Sequence, residues 1–282
     1  MAIELAGGCR VSDMCEGDPV VDGMLRVRNQ IGRATGAQAI SLRVMEISSG
    51  WPARLRNGDC DEILYMVGSW EREECWERGL PYVRKRQSGE AIELTWVFID
   101  GRRYEVGPDT GIYIRPRETL IVIPRGPEPI VVVSVRCPEP ESEPEPEQDF
   151  DLSSALVPAS DSPPPARPPL VRLADRPAQP TADRWYRVLI DDEVGSTQAT
   201  QFVGSIPPGR APDHFHQYEE VLFILRGEGR MWAGETNTPI APGSCIYLPK
   251  GQVHCVENTG TDELRLLGVF YPAGSPSVRY DV

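Results

Sequence analysis

The fold is decided by GRAPDHFHQYEEVLFILRGEG (residues 209–229), followed after a short predicted hairpin by GSCIYLPKGQVHCVEN (residues 243–258). These stretches contain all three histidines of the 282-residue chain. His214 and His216 are one residue apart, so on a strand they face the same side, and Glu220 has the same parity. Three imidazoles and one carboxylate that converge inside β-structure suit a first-row transition metal. The sequence therefore predicts a metal site at His214, His216, Glu220 and His254.

The spacing of these residues resembles the two sequence motifs of the cupin superfamily. The first motif is met by His214, His216, Glu220 and Gly227, with Gly209 one residue nearer than the commonest spacing of the leading glycine. The second motif is met without a gap by Gly243, Pro249, Gly251, His254 and Asn258. The resemblance implies an all-β fold of the double-stranded β-helix, or jelly-roll, type. The alternative is a degenerate cupin whose histidines only form hydrogen bonds. The loss of a ligand would favour this alternative, but all four ligand positions are kept.

The first half of the chain repeats this pattern more weakly, which predicts a bicupin with two barrels. The aligned pairs are ISSG (47–50) with IPPG (206–209), EILYMV (62–67) with EVLFIL (220–225), and TGIYI (110–114) with SCIYL (244–248).

The metal ligands are missing from the first half. Cupin spacing counted from Gly50 places Arg56 and Gly58 at the histidine positions, so Glu62 alone occupies a ligand position. One carboxylate cannot hold a transition metal, and residues 1–137 are therefore predicted to form a degenerate N-terminal cupin without metal. Residues 70–90 are extra sequence within it. A plain surface loop is the default prediction, with a lid or a dimer arm as alternatives.

Residues 138–182 are predicted to link the two barrels. They contain 12 of the 28 prolines, and residues 138–151 carry seven acidic and no basic side chains. Such a composition favours extended or disordered states over a packed core. Residues 183–282 are then the C-terminal, metal-binding cupin.

Composition limits the compartment and the partners. The net charge of −13 and the pI near 4.8 argue against nucleic acid or an anionic membrane as partner. We expect neither a signal peptide nor a membrane span, because the chain opens without an apolar run and no stretch reaches the ~18 apolar residues of a span. Seven cysteines without a C-x-x-C pair fit reduced thiols. These features predict a cytoplasmic protein.

The strand EVLFIL is apolar on both faces, since Leu222 and Ile224 share the ligand parity while Val221, Phe223 and Leu225 lie opposite. Its outer face must meet another sheet, a partner domain or a partner subunit. We also expect a homodimer.

The expected cofactor is one divalent transition metal per chain, and the ligand types do not choose among Fe, Mn, Ni, Co, Cu and Zn. The resemblance implies several possible metal-dependent reactions and does not select one. The leading hypothesis is a mononuclear dioxygenase-type oxidoreductase that acts on a small, oxygen-chelating metabolite. The alternatives are a metal-dependent isomerase or hydrolase, or a non-catalytic small-ligand binding protein. An oxalate-type decarboxylase is less expected, because bicupins of that type usually keep metal in both halves. Catalytic residues are not identified beyond two weak candidates near the site, Tyr247 and Arg210.

Overall fold

The structure is a computed structural model that describes residues 1–49, 52–75, 80–85, 94–141, 168–181, 183–277 and 280–281, with the backbone alone for 69–75, 80–85 and 280–281. The described residues form β-strands and three short 3-10 helices, as the sequence predicts. None of the helices in these ranges has the length and apolar character that crossing a membrane requires.

The described residues of the N-terminal half form thirteen strands and two of the 3-10 helices, at Ala6–Gly8 and Arg33–Thr35. The strands are β1 (Ile3–Glu4), β2 (Arg10–Asp13), β3 (Val20–Asp22), β4 (Leu25–Ile31), β5 (Ser41–Ile47), β6 (Ala53–Arg56), β7 (Asp61–Cys75), β8 (Leu80–Lys85), β9 (Thr95–Ile99), β10 (Arg102–Val106), β11 (Thr110–Ile114), β12 (Thr119–Ile123) and β13 (Ile130–Cys137).

In the C-terminal half, the residues that the structure describes form another thirteen strands and the third 3-10 helix, at Leu173–Asp175. The strands are β14 (Leu170–Arg172), β15 (Gln179–Thr181), β16 (Arg184–Ile190), β17 (Thr200–Ile206), β18 (Gly209–Arg210), β19 (His214–Phe215), β20 (Glu219–Arg226), β21 (Gly229–Ala233), β22 (Thr236–Ile240), β23 (Ser244–Leu248), β24 (His254–Asn258), β25 (Leu264–Tyr271) and β26 (Tyr280–Asp281).

The two halves repeat one topology. The large N-terminal sheet runs β14-β11-β7-β13-β5-β4-β3, and the large C-terminal sheet runs β1-β2-β23-β20-β25-β17-β16-β15. The small sheets correspond in the same way, with β10-β9-β12-β6 in one half and β22-β21-β24-β19-β26 in the other. The aligned segments EILYMV and EVLFIL lie in β7 and β20, at equivalent places in the two large sheets. The predicted bicupin with two jelly-roll barrels is confirmed.

Each large sheet includes strands from the other part of the chain, since β1 and β2 belong to the C-terminal sheet and β14 belongs to the N-terminal sheet. β2, near the N-terminus, pairs with β23 from Arg10↔Tyr247 to Asp13↔Ser244. β14 pairs with β11 from Thr110↔Arg172 to Ile112↔Leu170. The second of these strands, together with β15, falls within the predicted linker 138–182. The C-terminal part of that segment therefore contributes strands to both large sheets, while residues 142–167 lie outside the described residues.

The barrels pack back to back through their large sheets. One buried cluster lies between the sheets and brings Val221 and Phe223 of β20 together with Tyr65 and Val133 of the N-terminal half. Each barrel also has an interior cluster of its own. The outer face of β20 is thus covered by the N-terminal barrel of the same chain, and the homodimer stays a prediction.

Residues 70–75 and 80–85 differ from the sequence prediction. β7 continues to Cys75 and pairs with β8 from Trp70↔Lys85 to Cys75↔Leu80, which makes an antiparallel hairpin. The prediction of a plain loop was wrong for these residues, because a ladder of backbone hydrogen bonds extends the strand beyond the sheet. Residues 76–79 and 86–90 lie outside the described residues.

Gly227 of the first motif is required by the turn between β20 and β21. Its φ is +81°, and a Cβ at this position would lie 2.9 Å from the Leu264 Cα. Both the left-handed backbone and the close approach exclude a side chain. This glycine therefore permits the turn from β20 into β21 next to Leu264, the first residue of β25.

Candidate metal centre

The four predicted ligands come from three strands and one turn. His214 of β19 pairs directly with His254 of β24. The expectation that His214, His216 and Glu220 share one extended strand is only partly right, because β19 ends at Phe215 and β20 begins at Glu219. His216 lies in the turn between them. All four side chains still line one cavity inside the C-terminal barrel.

The donor atoms of these residues converge. The ligand nitrogens of His214, His216 and His254 all lie within 4.8 Å of one another. The Glu220 Oε2 lies 3.6 Å from the His216 Nε2 and 3.7 Å from the His254 Nε2. Three nitrogens and one oxygen around a common point form a donor set that suits a divalent transition-metal ion.

Backbone carbonyls orient two of the imidazoles. The Nδ1 of His214 lies 3.0 Å from the Pro212 carbonyl oxygen, and the Nδ1 of His254 lies 2.8 Å from that of Gln252. Because a carbonyl oxygen only accepts, each Nδ1 carries the proton and each Nε2 presents a lone pair. This arrangement selects the tautomer that a metal ligand needs.

The electrostatics of the site also fit a cation. Burial raises the pKa of Glu220 to about 8. Burial and, secondarily, the nearby His214 ring lower the pKa of His254 to about 3, so this imidazole is neutral at physiological pH. Among the described residues, no hydrogen-bond partner reaches the buried Oε2 of Glu220. A buried carboxyl oxygen without a partner is costly, and a bound cation would relieve that cost.

Aromatic residues that the sequence analysis did not select support His216. The Tyr218 ring stacks on the His216 ring at 5.0 Å between centroids, with 12° between the planes. Tyr218 also packs on Phe270 and donates a hydrogen bond from its hydroxyl to the Ser275 carbonyl at 3.1 Å. Tyr218 is two residues after His216, so in an extended chain both side chains face the same side. This spacing could have indicated from the sequence that Tyr218 lies near the site.

The C-terminal segment reaches the mouth of the site. β26 pairs with β19, with Asp281 opposite His214 and Tyr280 opposite Phe215. His214 is half-buried, whereas His216, Glu220 and His254 are buried. The backbone of β26 therefore lies alongside the most exposed of the four candidate ligands.

The cavity next to the four candidate ligands has a volume of about 100 Å³. Its walls are mostly apolar, and they include Phe202, Ile206, Leu222, Val256, Leu266 and Phe270. Arg184 also lines the cavity. The space suits a small molecule with apolar surface more than a highly charged one.

The structure does not bring Tyr247 to the cavity. Tyr247 belongs to the cluster between the barrels, and its hydroxyl donates to the Glu219 carboxylate. The alternation of β23 explains this placement, because Ile246 and Leu248 take the barrel-facing positions on either side of Tyr247.

Arg210, the second weak candidate, also lies outside the cavity lining. Its guanidinium packs over the Trp232 ring at 4.2 Å, and its Nε lies 3.2 Å from the Cys255 Sγ. It also pairs with Asp213 at 3.1 Å. Cys255 faces away from the metal side of β24, as its position next to His254 predicts, and Arg210 lies on that outer face with it.

The N-terminal barrel holds an ion pair around its single ligand-position residue. Glu62 is buried, lies 2.7 Å from the Arg43 guanidinium and accepts a hydrogen bond from the Ser134 hydroxyl at 2.5 Å. Arg43 also donates to Ser134 at 3.0 Å. A guanidinium thus supplies the positive charge beside Glu62, which supports the prediction that this barrel does not bind a metal.

Comparisons with known proteins agree with this architecture. The cupin domain family matches residues 202–270. The oxalate-binding protein of Thermotoga maritima is 36% identical over 84 residues, which are 29% of this chain and 69% of that protein. Auxin-binding protein 1 of Arabidopsis thaliana is 34% identical over 70 residues, and this match spans 22% of this chain and only 35% of that protein.

Solved structures of oxalate decarboxylase from Bacillus subtilis share the fold over nearly the whole chain. The structure at pH 4.6 superposes with a TM-score of 0.69 at 14% identity, covering 94% of this chain and 77% of that chain. A mutant of the same enzyme gives a TM-score of 0.70 at 14% identity, covering 96% and 79%. At this identity the likeness concerns the fold alone. With two matching barrels and both motifs in place, the chain belongs to the cupin superfamily as a bicupin, with a histidine triad suited to a divalent metal ion in its C-terminal barrel.

Proposed function

We propose that this bicupin is a mononuclear metal-dependent enzyme of the dioxygenase type, acting on a small metabolite that chelates through oxygen atoms. In this proposal His214, His216, Glu220 and His254 hold one divalent transition-metal ion. The observation that carries the proposal is the convergence of three imidazole nitrogens and a buried carboxylate oxygen at a small, mostly apolar cavity.

The chemistry of the bound ion would be Lewis-acid polarisation of a chelating substrate and, with a redox-active metal, access to dioxygen at positions that the protein does not occupy. The residues of the chain would do the remaining work. The backbone carbonyls of Pro212 and Gln252 hold two imidazoles in the binding tautomer. The Tyr218 ring fixes the plane of His216.

The lining of the cavity is mostly apolar, which supports a reaction that takes place at the metal itself. Phe202, Leu222 and Leu266 form apolar walls that would exclude water and orient a substrate by its apolar surface. An isomerase or hydrolase needs a group that transfers a proton close to the substrate. The two weak candidates for a catalytic role, Tyr247 and Arg210, lie elsewhere in the fold, and neither was predicted to transfer a proton.

Metal loading followed by an activity screen tests this proposal. The protein would be loaded in turn with Fe, Mn, Ni, Co, Cu and Zn, and each form supplied with catechols, flavonols, β-diketones and 2-oxo acids, with and without oxygen. We expect oxygen consumption with a redox-active metal, abolished in Glu220→Ala and retained in the exposed control Glu228→Ala. Turnover that persists without oxygen and is best with Zn would replace the proposal with an isomerase or hydrolase.

A second candidate function is non-catalytic binding of a small ligand. It is favoured by a specific observation, since two of the relatives are named as an oxalate-binding and an auxin-binding protein. In that case the metal-loaded protein would bind one compound of the screen tightly without converting it. Calorimetric titration beside the activity screen separates the two functions.

A further inference from the structure

Arg184 is a basic side chain in the wall of the cavity that the sequence analysis did not select. It is the first residue of β16, where strand alternation gives it the parity of Tyr186 and Val188. Both of those residues pack in the interior cluster of the C-terminal barrel. The strand therefore directs Arg184 to the inside of the barrel.

The surroundings of Arg184 leave its charge partly compensated. Its side chain is 14% exposed, and its Nε donates to Asp183 at 2.9 Å, but the Asp183 side chain is 64% exposed. A guanidinium carries five N–H donors in a fork that matches a carboxylate, and the contact with Asp183 uses one of them. A charged group in an apolar wall costs free energy unless a counter-charge meets it.

Arg184 and the metal centre lie at opposite ends of the barrel interior. Glu220 pairs with Phe270, and Phe270 pairs with Thr200 at the start of β17. Trp185, next to Arg184, pairs with Ser205, which lies five residues further along β17 (200 to 205). Five residues of strand span roughly 16 Å. Arg184 lines the same cavity as the four candidate ligands, and apolar side chains form most of the remaining wall.

We propose that Arg184 binds a carboxylate of the ligand and thereby determines its class. The ligand would be an elongated, mostly apolar molecule with chelating oxygens at one end and a carboxylate at the other. Its chelating end would meet the four metal ligands, its middle would pack on Phe202 and Leu222, and its carboxylate would pair with Arg184. This inference rests on the metal-dependent function proposed above.

A matched pair of probes tests the distal contact. The Co²⁺-loaded protein would be titrated calorimetrically with 2-oxooctanedioate and with 2-oxooctanoate, which share the chelating 2-oxo acid and differ in the distal carboxylate. We expect the diacid to bind at least about tenfold more tightly, because a hydrogen bond between charged groups contributes about that factor or more. In Arg184→Met the two affinities should become equal through loss at the diacid alone, and Arg184→Lys should retain part of the preference.

The controls separate this inference from the proposed function. Arg230→Met removes an exposed arginine of the same barrel, and it should leave both affinities unchanged. Metal content and the affinity for 2-oxooctanoate depend on the metal centre and not on Arg184. If the wild type binds no metal, or does not bind 2-oxooctanoate, that result contradicts the proposed function. Equal affinities of the two probes in the wild type, or a preference for a distal phosphonate over the carboxylate, would overturn the assignment of Arg184.

Discussion

At the residue scale, burial of Glu220 changes how metal binding should depend on pH. Free histidine titrates near pH 6.5, so histidines alone would place the loss of metal near that value. The structure instead lowers the pKa of His254 to about 3 and raises the pKa of Glu220 to about 8. Glu220 therefore keeps its proton at neutral pH in the metal-free site, and a metal has to displace it.

We predict that metal affinity rises as the pH increases from 7 to 8, because the fraction of Glu220 that must lose a proton on binding falls over this interval. Below the pKa, each pH unit should cost up to about tenfold in affinity for one displaced proton. Co²⁺ titrations at several pH values would measure this dependence. In Glu220→Gln, metal binding displaces no proton at position 220. The metal affinity of this variant should be weaker than that of the wild type and should change less with pH. A wild-type affinity that is constant from pH 6 to 8 would contradict the prediction.

Tyr218 is predicted to position His216 for metal binding. Tyr218→Leu removes the stacked ring and the hydrogen bond to Ser275. We expect metal affinity to fall by roughly tenfold or more, as is typical when a partner of a metal ligand is lost. Competition with a chelator at constant pH measures the change. Tyr104→Leu, in the other barrel, is the matched control, and equal affinities in the two variants would refute the positioning role.

At the element scale, β2 completes the sheet of the distant C-terminal barrel. Val11 of this strand is 6% exposed and belongs to the interior cluster of that barrel, while its backbone pairs with Ile246 of β23. Pairing removes an exposed strand edge on the sheet that carries Glu220. A residue near the N-terminus thus stabilises the half of the chain that holds the candidate metal centre.

We predict that Val11→Ala lowers the free energy of unfolding by about 2 kcal/mol, through lost burial and an incompletely filled cavity. Amide exchange should become faster in β23. Val20→Ala, on an exposed strand position, should change stability by no more than about 0.5 kcal/mol. Urea unfolding and hydrogen exchange would make both measurements. Unchanged exchange in β23 would show that β2 does not support this sheet.

At the scale of the whole molecule, the two barrels use equivalent carboxylates differently. Glu220 faces three imidazoles, whereas Glu62 faces Arg43 and Ser134. In the N-terminal barrel, the positive charge beside the carboxylate of Glu62 is the guanidinium of Arg43, which belongs to the protein itself. The pairing of barrels buries their large sheets against each other, so the N-terminal barrel serves the C-terminal one as a structural partner.

This difference predicts one metal equivalent per chain, bound by the C-terminal barrel. Glu62→Gln should keep that stoichiometry, although it weakens the buried ion pair with Arg43 and lowers stability. Glu220→Ala should lower metal content at the same free-metal concentration. Elemental analysis after equilibrium dialysis measures both variants. Two equivalents in the wild type, or loss of metal in Glu62→Gln, would contradict the assignment.

The sequence alone was enough for the class of fold, the repeat and the four candidate ligands. His214, His216, Glu220 and His254 could be selected because ligand spacing and strand parity are local properties of the chain. The opposite faces of β20 could be assigned for the same reason, since a period of two residues decides which side chains face the barrel interior.

Only the tertiary structure decided which strands lie side by side and which groups meet in the cavity. The roles of β2 and β14, the ion pair of Glu62 and the place of Arg184 depend on contacts between residues that are far apart in sequence. Tyr247 illustrates the limit, because it lies within the second motif in sequence yet faces the other barrel. Local spacing determines the direction of a side chain relative to its own strand, whereas its partner is determined by which surface packs against that strand.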